Sequence, residues 1–193
     1  MRRTSYLVLL LAAGILAQGC MPKPQMIKLE PTVRPGQVAA GTSKTLGLEV
    51  TDARADQKLG IIGDPNFTVV DAVTVGDSAG TIYKELAGAL ARHGFEVKRI
   101  AEFEDPSLRV EIRQLKHESV KRPMSFEMNS SVVLQANAKN GDSYFNREYW
   151  INRSQATGGP LTLEESSAVV NGMVSDALTD MLADKQLLEV LQR

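Results

Sequence analysis

Residues 51–58 read TDARADQK, with Asp52, Arg54 and Asp56 at every second position. In an extended chain alternate side chains project to the same side, which would set two carboxylates around one guanidinium on a single face. Three chemistries use such a group: a carboxylate general base, a hard-cation site, or a surface for recognition. The arginine weighs against the first two. Its charge lowers the pKa of neighbouring carboxylates, away from the range of a base at neutral pH, and it competes with a cation for the same oxygens. No further acid follows until Asp64. What remains for Asp52, Arg54 and Asp56 is a strand-end ion-pair group that orients a loop or meets a partner.

The rest of the chain offers little for catalysis. His93 and His117 are the two histidines and neither belongs to an HExxH pattern. His93 falls at the end of a helical stretch, where an imidazole suits the dipole. His117, among Lys116, Glu118 and Lys121, reads as a solvated strand end. No GxSxG elbow and no GxxxxGK[ST] loop occurs, so Gly158-Gly159 reads as an entry to the last helix. Tyr144, Phe145, Tyr149 and Trp150 alternate over both faces of one strand, for core and hairpin packing or, as the rival, for stacking on a sugar or peptide. The expectation is a protein that is not an enzyme, with no metal and no cofactor.

The opening, MRRTSYLVLLLAAGILAQGC, is an export signal: Arg2 and Arg3, an apolar run from Tyr6 to Leu16, then small or polar residues up to Cys20, the only cysteine. As a helix that run spans roughly 16 Å, about half a hydrocarbon core, which argues against a permanent span. The lone cysteine there resembles the lipobox of bacterial lipoproteins, although Leu16 stands four residues before it rather than three. The resemblance implies cleavage before Cys20 and attachment of diacylglycerol and palmitate there, anchoring the chain to the membrane through several acyl chains. Ordinary secretory cleavage near Ala17 to Gly19 is the alternative. Met21 occupies the second position of the lipoprotein, not the Asp that the sorting rule associates with inner-membrane retention, so an outer-membrane, periplasm-facing location is expected.

The chain holds 22 basic and 23 acidic residues, and the leader takes only Arg2 and Arg3, leaving a slightly acidic mature protein. That balance excludes the basic footprint of a nucleic-acid binder. Three segments follow: a signal peptide over 1–19, a lipid-anchored tether over 20–44 with Pro22, Pro24, Pro31 and Pro35, and a single domain over 45–193. A coil from Met21 to Lys44 would reach on the order of 27 Å, although alternating Ile27 and Leu29 can instead dock as an edge strand limited by Pro31.

Alternation at Leu46, Leu48 and Val50 predicts a strand ending at the DARAD group, and GIIGDPNF reads as a loop before a strand FTVVDAVTV. Ile82, Leu86, Ala89 and Leu90 mark one helical face, capped by Asp77 or Ser78 and closed at His93-Gly94. FEVKRI and three longer extended segments follow, the last two joined at Asn140-Gly141, a tight-turn signal for an antiparallel meander. Thr162 and Glu165 form a capping box for a helix with its apolar stripe from Val170 to Leu182, and Asp184 caps a short final helix. The fold class is therefore α+β: a two-layer sandwich of a mostly antiparallel sheet of about five strands, with two main helices on one face and a short C-terminal helix.

This order of anchor, tether, strand, VTDARADQ, capped helix, long hairpin and closing NGMVSDALTDMLAD helix resembles the YajG family of bacterial lipoproteins. The resemblance implies a Gram-negative envelope lipoprotein with no transferable catalytic activity. A binding or accessory module in the periplasm, facing another envelope protein, is the leading expectation. Cell-wall glycan, peptidoglycan fragments or lipopolysaccharide are the alternative ligands.

Overall fold

The computed structural model describes residues 23–34, 44–64, 68–100 and 105–193. Among them run β1 (Gln25–Lys28), β2 (Lys44–Asp52), β3 (Lys58–Asp64), β4 (Thr68–Val75), α1 (Ser78–Arg92), β5 (Phe95–Arg99), β6 (Ser107–Lys121), β7 (Phe126–Asn140), β8 (Ser143–Thr157), α2 (Leu163–Ala183) and α3 (Lys185–Gln192). Residues 1–19, expected to be a signal peptide, Cys20 and Phe67 lie outside the described residues.

The main sheet has the order β5-β2-β6-β7-β8, and a smaller one the order β1-β4-β3. β6, β7 and β8 form the expected antiparallel meander, whereas β2 pairs in parallel with both β5 and β6, so the sheet is mixed. The turn after β7 comprises Gly141 and Asp142, with Asn140 paired to Ser143, and only Gly141 has a positive φ, +58°. That is one residue beyond the Asn-Gly pair read from sequence, and a glycine at the first central position is what a II′ turn requires.

The helices lie where their apolar stripes demand. Asp77 caps α1, with its carboxylate accepting from the Gly80 amide at 2.7 Å, and His93 and Gly94 close it. Thr162 and Glu165 form the capping box of α2, and Asp184 caps α3. Ile82, Leu86 and Leu90 of α1 and Val170, Met173, Val174, Leu178 and Met181 of α2 join Leu48, Leu108, Ile112 and Leu134 of the sheet in one core.

GIIGDPNF departs from its expected loop, because Lys58–Asp64 is strand β3, paired with β4 from Lys58–Val73 to Asp64–Thr68. Its glycines read as breakers, yet Gly60 marks a close strand approach: a Cβ there would lie 2.8 Å from both Glu118 Cβ and the His117 carbonyl oxygen. β3 thus runs beside the second half of β6, with the Gly63 amide on Ser119 Oγ at 2.9 Å.

The segment assigned to the tether is, over its described residues 23–34, built into the fold. Ile27, Leu29 and Val33 are buried, and β1 adds to the small sheet in parallel with β4. Beyond β1 the chain lies extended along α2. The amides of Glu30, Thr32 and Arg34 donate to Asn171 Oδ1 at 2.6 Å, Ser175 Oγ at 2.9 Å and Thr179 Oγ1 at 3.3 Å. Two extended residues advance about 6.2–6.8 Å and four helical residues rise about 6.0 Å, so steps of two on the strap match steps of four on the helix. The Ser175 and Thr179 hydroxyls donate to the carbonyls four residues earlier, both at 2.7 Å, which leaves their lone pairs for the strap.

Candidate functional site

β2 ends at Asp52, and the chain bends through residues 54–57 before β3. The bend breaks the two-residue alternation, so the three charges of DARAD do not share one face. Arg54 folds back on Asp52 in a bidentate pair, Nε to Oδ1 at 2.8 Å and Nη2 to Oδ2 at 2.6 Å. Nη2 also donates to Thr74 Oγ1 at 3.2 Å. Asp56 instead accepts from the Lys58 amide at 2.8 Å and fixes the bend. The Arg54 side chain is only 6 % exposed, so the pair is a semi-buried fixture rather than an exposed triad. Burial would raise the Asp52 pKa, but the hydrogen bonds and charge of Arg54 hold it below the usual carboxylate range. Nη1 of Arg54 is buried with no protein partner.

Arg54 borders a cleft of about 360 Å³ between the bend, β3 and β6. Four cations line it, Arg54, Lys58, Arg113 and Lys116, against two acids, Asp56 and Glu118. Lys58 is paired with Asp71 and Arg113 with Glu111, while Lys116 is in no ion pair among the described residues. Lys116 and Glu118 also border a second groove of about 340 Å³ across β6, β7 and β8, lined by Asn129, Ser131 and Asn152. These side chains stand on the sheet face away from the helices, and the same face carries Tyr144, 72 % exposed, and Trp150, 63 % exposed. Phe145 and Tyr149 point the other way into the core.

A β-bulge creates the cleft wall. β6 pairs with β7 in register through Ile112–Leu134, then resumes at Gln114–Val133, so Arg113 is the extra residue. The inward set therefore changes from Leu108, Val110 and Ile112 to Leu115 and His117. This overturns the reading of His117 as a solvated strand end: it is fully buried, its Nδ1 lies 2.8 Å from Ser130 Oγ, and burial lowers its pKa to about 4. The histidine and Ser130 face the core and offer no accessible nucleophile. The three-residue step from Ile112 to Leu115 was the signal in the sequence for the bulge, and with it for Arg113, Gln114 and Lys116 as cleft residues.

Among the described residues no group of three or more His, Cys, Asp or Glu side chains is placed to hold a metal ion. No described helix is long and apolar enough to cross a membrane. A family model described as uncharacterized lipoprotein matches residues 31–192. The chain belongs to this lipoprotein family. No curated protein matches. Among solved structures, the protein XCC0632 of Xanthomonas campestris, from the family DUF330, is 13 % identical with a TM-score of 0.59, covering 86 % of this chain and 95 % of that one, and shares the fold. A Helicobacter pylori protein described as a neuraminyllactose-binding hemagglutinin homolog is 10 % identical with a TM-score of 0.40, covering 85 % of this chain and 95 % of that one.

Proposed function

We propose that this lipoprotein is a non-catalytic accessory module of the YajG type, held by lipid on Cys20 at the periplasmic side of the outer membrane, that binds an envelope protein through the cleft at Arg54. The observation that carries the reading is the cleft itself: a guanidinium fixed by Asp52, Lys116 in no ion pair among the described residues, and an opening onto a sheet face uncovered by helices. Such a site suits an acidic loop or terminal carboxylate of a protein partner. Capture of envelope proteins on the wild-type domain, repeated with Lys116→Glu plus Arg113→Glu, tests it. A partner bound by the wild type and lost by the charge-reversed protein supports the reading, and unchanged capture contradicts it.

A second reading, glycan or lipopolysaccharide, draws on the exposure of Tyr144 and Trp150 on one strand face. Calorimetric titration with muropeptides and lipid A species separates the two. Heat of binding that disappears in Trp150→Ala favours the glycan, and its absence removes that ligand class.

A further inference from the structure

Exposed apolar side chains gather at one end of this molecule. β3 and β6 run the same way and finish together, where Lys121 at the end of β6 pairs with Asp64 at the end of β3 at 3.0 Å. The β6–β7 turn at that end carries Met124, 96 % exposed, with Val120 exposed beside it. β4 starts there, bringing exposed Val69 opposite Gly63. β8 also ends there, since Thr157 pairs with Phe126, and exposed Leu163 opens α2 a few residues later. Ile61 and, farther along β4 beside Val73, Met26 are also exposed on the outer face of the small sheet, which they share with the Lys58–Asp71 ion pair. Tyr144 and Trp150, also exposed among the described residues, stand on the main sheet.

The chain also leaves the fold at this end. β1 is parallel to β4 with Gln25 beside Ala72, so its upstream residues head back along β4 toward Val69, and Pro24 shares a shallow recess with Ile61, Val69 and Val70. Cys20 stands three residues before Lys23, within about 10 Å of chain. The docked strap thus removes the long reach that a free tether to Lys44 would give, and a lipid on Cys20 brings this end to the bilayer.

We propose that the end formed by the β6–β7 turn, the start of β4 and the outer face of the small sheet rests in the interface of the bilayer that holds the Cys20 lipid, with Met124 and Val69 entering the headgroup boundary. The proposal rests on lipid attachment at Cys20. Acyl chains supply the anchoring, and the apolar end supplies a fixed orientation. Lys121 and Arg122 beside Met124 are already paired with Asp64 and Glu127, so apolar contact rather than charge dominates. In this pose the Gly141-Asp142 turn, at the opposite end of β7 and β8, points into the periplasm.

The test uses the full lipidated protein purified from cells, with acylation of Cys20 read by mass. An environment-sensitive fluorophore is placed at Met124→Cys, at Val69→Cys, or at Asp142→Cys, and each protein is reconstituted into vesicles of phosphatidylethanolamine and phosphatidylglycerol containing brominated lipid. The expected result is blue-shifted emission and several-fold stronger quenching at positions 124 and 69 than at 142. Aqueous emission and equal quenching at all three positions, on a protein whose Cys20 is acylated, overturns the interfacial pose and leaves the anchor standing. An unmodified Cys20 by mass removes both.

Discussion

Tyr149 on β8 donates its phenol hydrogen to Asp184 Oδ2 at 2.7 Å, joining the main sheet to the junction of α2 and α3. The same carboxylate accepts from the Gln186 amide at 3.0 Å as the cap of α3 and pairs with Arg147. Burial would raise its pKa, but Tyr149, the capped amides and Arg147 together hold it low; burial and the same carboxylate raise the Tyr149 pKa. Asp184→Ala is expected to destabilise the domain by about 3 kcal/mol in urea unfolding, and Asp184→Asn, which keeps a capping oxygen, by less.

The buried His117 makes stability acid-sensitive. Its pKa is about 4 in the folded protein against 6.5 as the ordinary value, so the unfolded chain binds the extra proton first. Stability is retained above about pH 6.5, falls as pH drops toward 4, and the full effect is about 3 kcal/mol. His117→Leu should flatten the urea midpoint across that window, while wild-type protein loses midpoint steadily.

The strap on α2 predicts an amide-exchange pattern. Asn171→Ala, Ser175→Ala and Thr179→Ala together remove the acceptors for Glu30, Thr32 and Arg34. The cost is about 1 kcal/mol per lost bond. Exchange at those three amides should accelerate while amides of β7 remain protected.

Arg54→Ala removes a nearly buried guanidinium from a carboxylate that is itself largely covered. A loss of about 2 kcal/mol is expected, because Asp52 is left without its partner. Arg54→Lys should recover only part of it, since an ammonium cannot reproduce the bidentate fork. Chemical denaturation of the three proteins measures both effects.

Much of the fold was legible because its signals are local. The Asp77 cap, the Thr162–Glu165 box, the Asp184 cap and the alternation at Leu46, Leu48 and Val50 depend on neighbours in sequence, and each stands as read. What escaped depends on partners far along the chain. Gly60 and Gly63 belong to a strand because β6 passes close by, His117 turns inward because of one extra residue at Arg113, and Glu30 to Arg34 lie along α2 because it offers acceptors four residues apart, whereas the edge strand at Ile27 and Leu29 was open to their alternation. The candidate site was half legible. Its composition drew attention to Asp52, Arg54 and Asp56, but the bend that separates Asp56 from the pair, and the cleft cations Arg113 and Lys116 from a distant strand, follow from tertiary structure.

The central claim, that the cleft at Arg54 receives an envelope protein, is tested most directly by placing a photoreactive amino acid at Lys116 in living cells and a control at Lys185 on α3. The account predicts a discrete protein adduct from position 116 that is absent from position 185 and is lost when Arg113→Glu is added. No adduct at 116, or the same adducts at both positions, would contradict it.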